Sequence, residues 1–446
     1  MQSLLFLIIT LAILVAVHEF GHFWVARRCG VKVLKFSVGF GKPIWSRFGR
    51  DGTEYIVAAI PLGGYVKMLD EREGDVAEED LDKAFNRKPL GSRVAIVAAG
   101  PIANLLFAVL AYWFIFVLGT PGLRPIIGDI APNSPAAHAH LVSGDEIKAV
   151  NGRETLTWSS AYKALARVAE IGGVADIIVD TGGSNIHRQL NVEQYDFSST
   201  TSVSLLHHIG VTPIRIPFNP IIGTVVKGKP AEKSGLVMGD RIVSVDEHPI
   251  QNWLQFVELV QASPNKLLTV IVERNGQSKH LLLTPSAEKN VGKIGAGVDS
   301  SKTEVAAELR TVERYGWGES VGKAFYETWA FSASTLKSLV GMVTGEVSSK
   351  NIGGPITIAQ YASASADRGL ISFLSFLAMV SISLGLLNLL PIPILDGGHL
   401  ALYFVEWLRG APLSEHVQFQ SQKVGIILLL MLMFLAFFND LTRLFG

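Results

Sequence analysis

The sequence predicts a multi-span α-helical membrane protein with an α+β portion between its second and third spans. The chain is 49% hydrophobic and only 17% charged, whereas about a quarter of an ordinary soluble protein is charged. It also contains long uncharged apolar runs, and its middle contains a sequence repeat. Because 39 basic residues balance 39 acidic ones, no net positive field is available to attract nucleic acid.

Four apolar runs are expected to cross the membrane. A helix needs about 20 apolar residues to span the hydrocarbon core. We expect transmembrane helices at residues 1–27, 94–119, 369–396 and 424–440. The first run could instead be the apolar core of a secretory signal, but no Lys or Arg precedes it and no small-residue cleavage site follows it.

Positive charge predicts the orientation of these helices. The segment 28–93 carries Lys and Arg near both of its ends, and such charge beside a span marks the cytoplasmic side. We therefore expect cytoplasmic loops at 28–93 and 397–423, an extracytoplasmic portion at 120–368, and both termini outside the cytoplasm.

The segment 301–368 is expected to contain amphipathic helices at the outer membrane interface. Residues 328–345 carry Lys337 in their middle with Ser and Thr around it, which is typical of a helix that lies in the interface. If this helix crossed the membrane instead, Asp396 would lie on the opposite face from the polar residues of the first span.

A repeat lies between the second and third spans. Residues 126–158 and 221–253 align without a gap at an offset of 95, which indicates duplicated domains. We expect these domains at 120–212 and 213–300. The shared positions include Gly128/Gly223, Pro135/Pro230, Asp145/Asp240 and Trp158/Trp253. Each copy resembles a PDZ domain of the bacterial protease-associated form, which implies peptide capture by strand addition at a sheet edge.

The first span ends in a cluster of ionisable residues. Because positions four apart share one helix face, His18 and His22 can bind one zinc ion while Glu19 reaches the water on that metal. Ionisable groups inside a span cost about 2.5–3.5 kcal/mol on insertion scales, and they are functional by default. A single cysteine, Cys29, excludes an internal disulfide and a multi-cysteine metal site.

A third zinc ligand is expected from another part of the chain. A catalytic zinc usually has three protein ligands and one open position. Asp396 lies at the end of the third span, just after two prolines that open the helix locally. Since the first and third spans both run inward, this carboxylate should lie at the depth of the histidines. His399 and Glu54 remain alternative ligands.

These motifs together resemble those of the site-2 protease family of intramembrane zinc metalloproteases. The resemblance rests on H-E-x-x-H in the first span, N-x-x-P-x-P-x-L-D-G at 388–397, and the PDZ-like copies between them. It covers the chain as far as residue 446. It implies that His18, His22 and Asp396 bind one Zn²⁺ per chain and that Glu19 is the catalytic acid/base.

The resemblance also implies residues that bind the substrate. They are Asn388, Pro391 and Pro393 at the end of the third span, and Gly63, Gly64, Tyr65 and Val66 nearer the N-terminus. The second group falls in residues 54–69, which match a membrane-associated β-hairpin on the cytoplasmic side. An exposed strand there could hold an unwound substrate in an extended form.

The expected function is cleavage inside the transmembrane segments of single-span proteins already trimmed outside. The resemblance implies an anti-sigma factor of an envelope stress cascade as the substrate, with signal-peptide remnants as a further class. It also implies an upstream site-1-type protease, a bacterial inner-membrane location with lipid as a partner, and PDZ copies that exclude untrimmed substrates.

Two functions from other classes remain as alternatives. The chain could be a PDZ peptide-binding scaffold with a structural metal site, or a divalent-metal transporter. The intact Glu19, which zinc binding does not need, argues against the scaffold. Tandem peptide-binding domains have no evident role in a transporter.

Overall fold

The computed structural model describes residues 2–193, 195, 202–214, 216–288, 290–299, 302, 305–348, 352–411 and 413–445. The chain divides into two compact units, the first formed by Met1–Thr120 with Glu313–Gly446 and the second by Pro121–Val312. The domain boundary expected between 300 and 301 lies outside the described residues.

Seven helices are described in the first unit. They are α1 (Gln2–Arg28), α2 (Leu90–Leu118), α3 (Trp317–Thr344), α4 (Pro355–Asp367), α5 (Leu370–Leu389), α6 (Asp396–Arg409) and α7 (Glu415–Phe445). Four of these, namely α1, α2, α5 and most of α7, are long and apolar enough to span a membrane. These four correspond to the four apolar runs of the sequence.

The ends of two helices differ from the expected ones. We expected the third span to reach Asp396, but α5 ends at Leu389 and Asp396 begins the separate helix α6. The cause is Pro391, because a proline disfavours the helical conformation in the residue before it. Helix α7 begins at Glu415 rather than at 424, because a polar stretch in front of the apolar run is helical as well.

A β-sheet lies between α1 and α2 in the sequence. Its strands are β1 (Val33–Phe48) and β2 (Glu54–Met68). We expected a hairpin within 54–69, but residues 35–38 of β1 lie between the two halves of β2. They run parallel to 54–57 and antiparallel to 64–67. The segment 64–68 is therefore an outermost strand of a four-segment sheet.

The second unit contains two copies of one arrangement. Each copy has a four-stranded sheet, a short Pro-initiated helix, a longer helix and a separate pair of strands. In sheet order, the first copy has Arg153–Glu154, Glu146–Val150, Gly173–Thr181 and Ser184–Val192, and the second has His248–Pro249, Arg241–Val245, Leu268–Arg274 and Gln277–Leu283. The strand pairs are Ile127–Ile130 with Val211–Pro213, and Ile222–Val225 with Ala296–Val298. The helices are Pro135–His138, Trp158–Ile171, Pro230–Lys233 and Trp253–Gln261.

Further short elements connect these parts. They are the 3₁₀ helices Glu78–Lys83, Phe85–Arg87 and Ala307–Leu309, the helix Ser202–Ile209, and the strands Thr120–Leu123, Ser286–Glu288, Val291–Lys293 and Arg310–Glu313. The two ends of the second unit lie side by side, because Arg124 donates its backbone N–H to the carbonyl of Leu309 at 2.9 Å.

Small residues allow α1, α2 and α5 to approach one another closely. A Cβ atom on Gly21 of α1 would lie 2.3 Å from the carbonyl oxygen of Ala99 in α2. A Cβ atom on Gly385 of α5 would lie 3.0 Å from the carbonyl oxygen of Pro101 in α2. Glycine at such contacts lets membrane helices pack with their backbones close together, and α2 is therefore the central helix of this group.

Candidate metal centre

Three metal-ligating side chains converge in the first unit. One ligand atom from each of His18, His22 and Asp396 lies within 4.8 Å of the other two. Nε2 of His18 lies 3.1 Å from Oδ2 of Asp396, and Nε2 of His22 lies 3.6 Å from Oδ1. The two Nε2 atoms are 3.3 Å apart. Within the described part of the chain, no other group of three such residues comes this close.

The turn between α5 and α6 delivers the carboxylate. Two glycines follow Asp396, and both are packed against this turn. A Cβ atom on Gly397 would lie 2.2 Å from the carbonyl oxygen of Leu390, and one on Gly398 would lie 2.4 Å from that of Ile392. No larger residue fits at either position, so the L-D-G-G sequence is what allows the first turn of α6 to fold back.

An ion pair attaches α6 to α2. Nη2 of Arg93, at the start of α2, lies 2.5 Å from Oε1 of Glu406 in α6, and its Nη1 lies 3.2 Å from Oε2. This two-point contact is largely buried, and the Arg93 guanidinium also lies 5.0 Å from the centre of the Tyr403 ring. Bidentate pairs of this kind are directional, so the pair fixes α6, and Asp396 with it, relative to α2.

These three residues fit a zinc ion. Two imidazoles and one carboxylate form a donor set found in catalytic zinc sites. Ligand atoms around a tetrahedral zinc are about 3.3 Å apart, and the three measured separations are 3.1, 3.3 and 3.6 Å. Oδ2 of Asp396 is buried without a hydrogen bond among the described residues, although it faces His18 at 3.1 Å. Such an atom is expected where a cation binds and is otherwise rare.

Glu19 lies between the two histidines in α1 and is 9% exposed. It packs against the outermost strand of the sheet, because a Cβ atom on Gly64 of β2 would lie 2.9 Å from Cγ of Glu19. The same Cβ would lie 2.7 Å from Cγ1 of Val15. The glycine at 64 therefore leaves the space that the Glu19 side chain occupies.

Two residues of α2 contact the histidines, and the sequence alone did not identify them. A Cβ atom on Gly100 would lie 2.3 Å from Nε2 of His22 and 2.8 Å from Cε1 of His18. Nδ2 of Asn104, one turn further along, lies 3.2 Å from Nδ1 of His18. Their signal in the sequence is a glycine and an amide four positions apart in an otherwise apolar run.

The two alternative ligands lie outside the cluster. Glu54 forms an ion pair with Lys35 at 2.9 Å within the sheet and accepts a hydrogen bond from Ser46 at 2.8 Å. Both contacts lower the pKa of its carboxyl. His399 lies one turn after Asp396 in α6, and burial lowers the pKa of its imidazole. Neither belongs to the group of converging ligand atoms.

The residues expected to bind substrate lie on two segments. Gly63, Gly64, Tyr65 and Val66 lie on β2, where the Tyr65 ring stacks on Phe40 with centroids 6.1 Å apart. Asn388 lies in the last turn of α5. Pro391 and Pro393 lie in the turn that leads to Asp396.

The model of peptidase family M50 matches residues 6–432 of this chain. The chain belongs to peptidase family M50. This M50 peptidase is 45% identical over 442 residues to the regulator of sigma-E protease RseP of Salmonella typhimurium, and 44% identical to that of Escherichia coli; each alignment covers 98% of both chains. It is 43% identical over 455 residues to a protein of Neisseria meningitidis named as a zinc metalloprotease, with 100% of both chains covered.

Family membership confirms the predicted class of the M50 peptidase. It is a zinc-dependent metalloendopeptidase of the site-2 type, with four helices suited to a membrane. The alternatives of a peptide-binding scaffold and of a metal transporter are not supported by these relatives, which are named as proteases.

Proposed function

We propose that this M50 peptidase hydrolyses peptide bonds inside the transmembrane segments of single-span proteins. In this proposal His18, His22 and Asp396 bind one zinc ion and Glu19 is the general acid/base. The observation that carries the proposal is the convergence of the three ligand atoms within 4.8 Å. Two of them, with Glu19 between them in the sequence, belong to a helix suited to span a membrane.

Zinc in this position supplies a Lewis acid that polarises a peptide carbonyl and lowers the pKa of water towards neutrality. Glu19 takes a proton from the attacking water and later gives it to the departing amine. Its burial against Gly64 supports this role, because the carboxylate is held in one place and is shielded from bulk solvent. Proton transfer of this kind contributes about 10²–10⁴-fold to rate.

A transmembrane substrate must unwind before it can be cut, because a helix hides its carbonyls in its own hydrogen bonds. We propose that the strand segment 64–68 pairs with the unwound substrate through main-chain hydrogen bonds. Its place at the edge of the sheet supports this. Asn388 makes no side-chain hydrogen bond within the described residues, so its amide is available to a released backbone group. Pro391 and Pro393 would border the same path.

We propose that the chain lies in the bacterial inner membrane with its active site near the cytoplasmic face. Arg27 and Arg28 in the last turn of α1, and Arg93 in the first turn of α2, support a cytoplasmic loop at 28–93. Residues 120–368 and both termini would then be periplasmic. Helix α3 would lie in the outer interface.

The repeated portion is proposed to consist of two PDZ domains, at 120–212 and 213–300, which exclude untrimmed substrates. The identical strand order of the two copies supports the duplication. The natural substrate would be an anti-sigma factor first cut outside by a site-1-type protease, as the names of the regulator of sigma-E proteases suggest.

The test of this function uses the purified full chain and a single-span substrate without its periplasmic domain. Zinc-dependent cleavage within the span, lost in Glu19→Gln, is the expected result. Cleavage that persists in Glu19→Gln, or that occurs outside the span, would contradict the proposed mechanism.

A further inference from the structure

Asn104 is a fully buried amide in the middle of α2, next to the candidate metal centre. Its Nδ2 atom lies 3.2 Å from Nδ1 of His18. Its Oδ1 atom is buried as well and has no hydrogen-bond partner among the described residues. A polar side chain inside an apolar span costs free energy and is usually functional. We therefore expect this amide to have a role besides packing.

Both histidines need the same tautomer if their Nε2 atoms are to bind one metal ion. For His22, a main-chain carbonyl selects this tautomer. Nδ1 of His22 lies 2.8 Å from the carbonyl oxygen of Ile96, and because a carbonyl only accepts, Nδ1 carries the proton and Nε2 keeps its lone pair. At His18 the corresponding partner is Asn104, which can donate through Nδ2 or accept through Oδ1.

We propose that Asn104 selects the metal-binding tautomer of His18 by accepting a hydrogen bond through Oδ1 from Nδ1–H. The opposite orientation, with Nδ2 donating to Nδ1, would leave the proton of His18 on Nε2 and block the lone pair that the metal needs. A half-turn of the carboxamide exchanges Oδ1 and Nδ2 with almost no change of shape. Both Nε2 atoms, which are 3.3 Å apart, are then free to bind.

The surroundings of Asn104 hold its backbone in place for this role. Ser381 of α5 donates its hydroxyl to the main-chain carbonyl of Asn104 at 2.8 Å, and this contact is fully buried. One turn earlier, Gly100 leaves room for the two imidazole rings. One face of α2 therefore leaves room for the imidazole rings at Gly100 and provides a hydrogen-bond acceptor at Asn104.

Asn104 is a positioning residue in this inference, because it contacts His18 and not the substrate. The inference rests on the proposed role of His18 as a zinc ligand. Removal of a hydrogen-bond partner that fixes a ligating histidine typically weakens metal binding by about 10- to 100-fold.

The test measures zinc affinity of the purified full chain by competition with a chromophoric chelator. Asn104→Leu keeps the approximate shape and loses both polar atoms, and it should weaken zinc binding by about 10- to 100-fold. Asn104→Asp keeps the acceptor and should bind zinc close to the wild-type affinity. A packing role predicts the reverse order, since Leu fills the space and Asp buries a charge, and that order would overturn the proposal.

Thr10→Val is the matched control. Like Asn104, Thr10 of α1 is fully buried, and its hydroxyl has no hydrogen-bond partner among the described residues. This variant should bind zinc like the wild type. If wild-type chain binds no zinc, or His18→Ala retains it, the proposed metal site fails. If His18→Ala loses zinc and Asn104→Leu does not, only the role of Asn104 fails.

A measurement on the wild type avoids variants that do not fold. ¹⁵N spectra of the histidine-labelled, zinc-free chain distinguish a neutral imidazole with its proton on Nδ1 from one with its proton on Nε2, and comparison with His18→Ala identifies the signal of His18. The proposal requires the proton on Nδ1. A proton on Nε2 of His18 in the zinc-free chain would overturn it.

Discussion

Gly100 of α2 lies directly against His22 of α1, so that a Cβ atom on Gly100 would come within 2.3 Å of Nε2 of His22. Gly100→Ala should therefore displace the imidazole. Overpacking of a buried site costs about 1–3 kcal/mol, and zinc affinity should fall by about 10-fold or more. Gly91→Ala in the same helix is the control, because no atom outside the neighbouring part of its own helix lies within 4 Å of its Cβ position. Equal zinc affinity in both variants would disprove this contact.

The ligand assignment predicts different effects for two carboxylates of the site. Asp396→Asn should lose most of its zinc, because an amide is a much poorer ligand than a carboxylate. Glu19→Gln should keep its zinc and lose cleavage by about 10²–10⁴-fold, the usual contribution of a general acid/base. Metal analysis of both purified variants is the measurement. Normal zinc in Asp396→Asn together with its loss in His399→Ala would reassign the ligand.

Gly64 should affect catalysis and not metal binding. A Cβ atom there would lie 2.9 Å from Cγ of Glu19 and 2.6 Å from the carbonyl oxygen of Ser37. Gly64→Ala should therefore shift the Glu19 carboxylate, and a displacement of about 1 Å can cost about 100-fold in rate. Cleavage rate and zinc content are measured on the same preparation. A wild-type cleavage rate in Gly64→Ala would show that the strand moves away and leaves the Glu19 carboxylate in place.

The orientation of the chain can be tested with its single cysteine. Cys29 follows Arg27 and Arg28 at the end of α1, and an impermeant thiol reagent should not label it in spheroplasts. Lys279→Cys on a Cys29→Ser background should be labelled, because Lys279 is exposed in the second copy of the repeat. Labelling of Cys29 from outside would reverse the proposed topology.

Removal of the repeated portion should release cleavage of untrimmed substrates. The backbone hydrogen bond between Arg124 and Leu309 brings these two positions close enough for a short Asn-Gly turn to replace residues 125–308. The variant should cut both a full-length substrate and a pre-trimmed one. Retained discrimination would refute the exclusion role, and loss of both activities in a folded, zinc-containing variant would indicate a recruiting role.

The convergence of His18, His22 and Asp396 could be predicted from the sequence. H-E-x-x-H places two imidazoles on one helix face, and the charge near the span ends predicts that Asp396 lies at the same depth. Gly100 and Asn104 were not predicted, since one glycine or amide in an apolar run has several possible partners and only packing selects one. The place of residues 35–38 between the halves of β2 was not predicted either, because alternation along a strand does not encode which strand it pairs with.

The split of the candidate ligands between α1 and α6 has a consequence for biosynthesis. Ribosomes add about 5–20 residues per second, so roughly 20–75 s separate the synthesis of His22 from that of Asp396. During this interval the nascent chain holds an incomplete set of ligands. Under the proposed ligand set, proteolytic competence cannot arise before Asp396 has been synthesised and has joined His18 and His22.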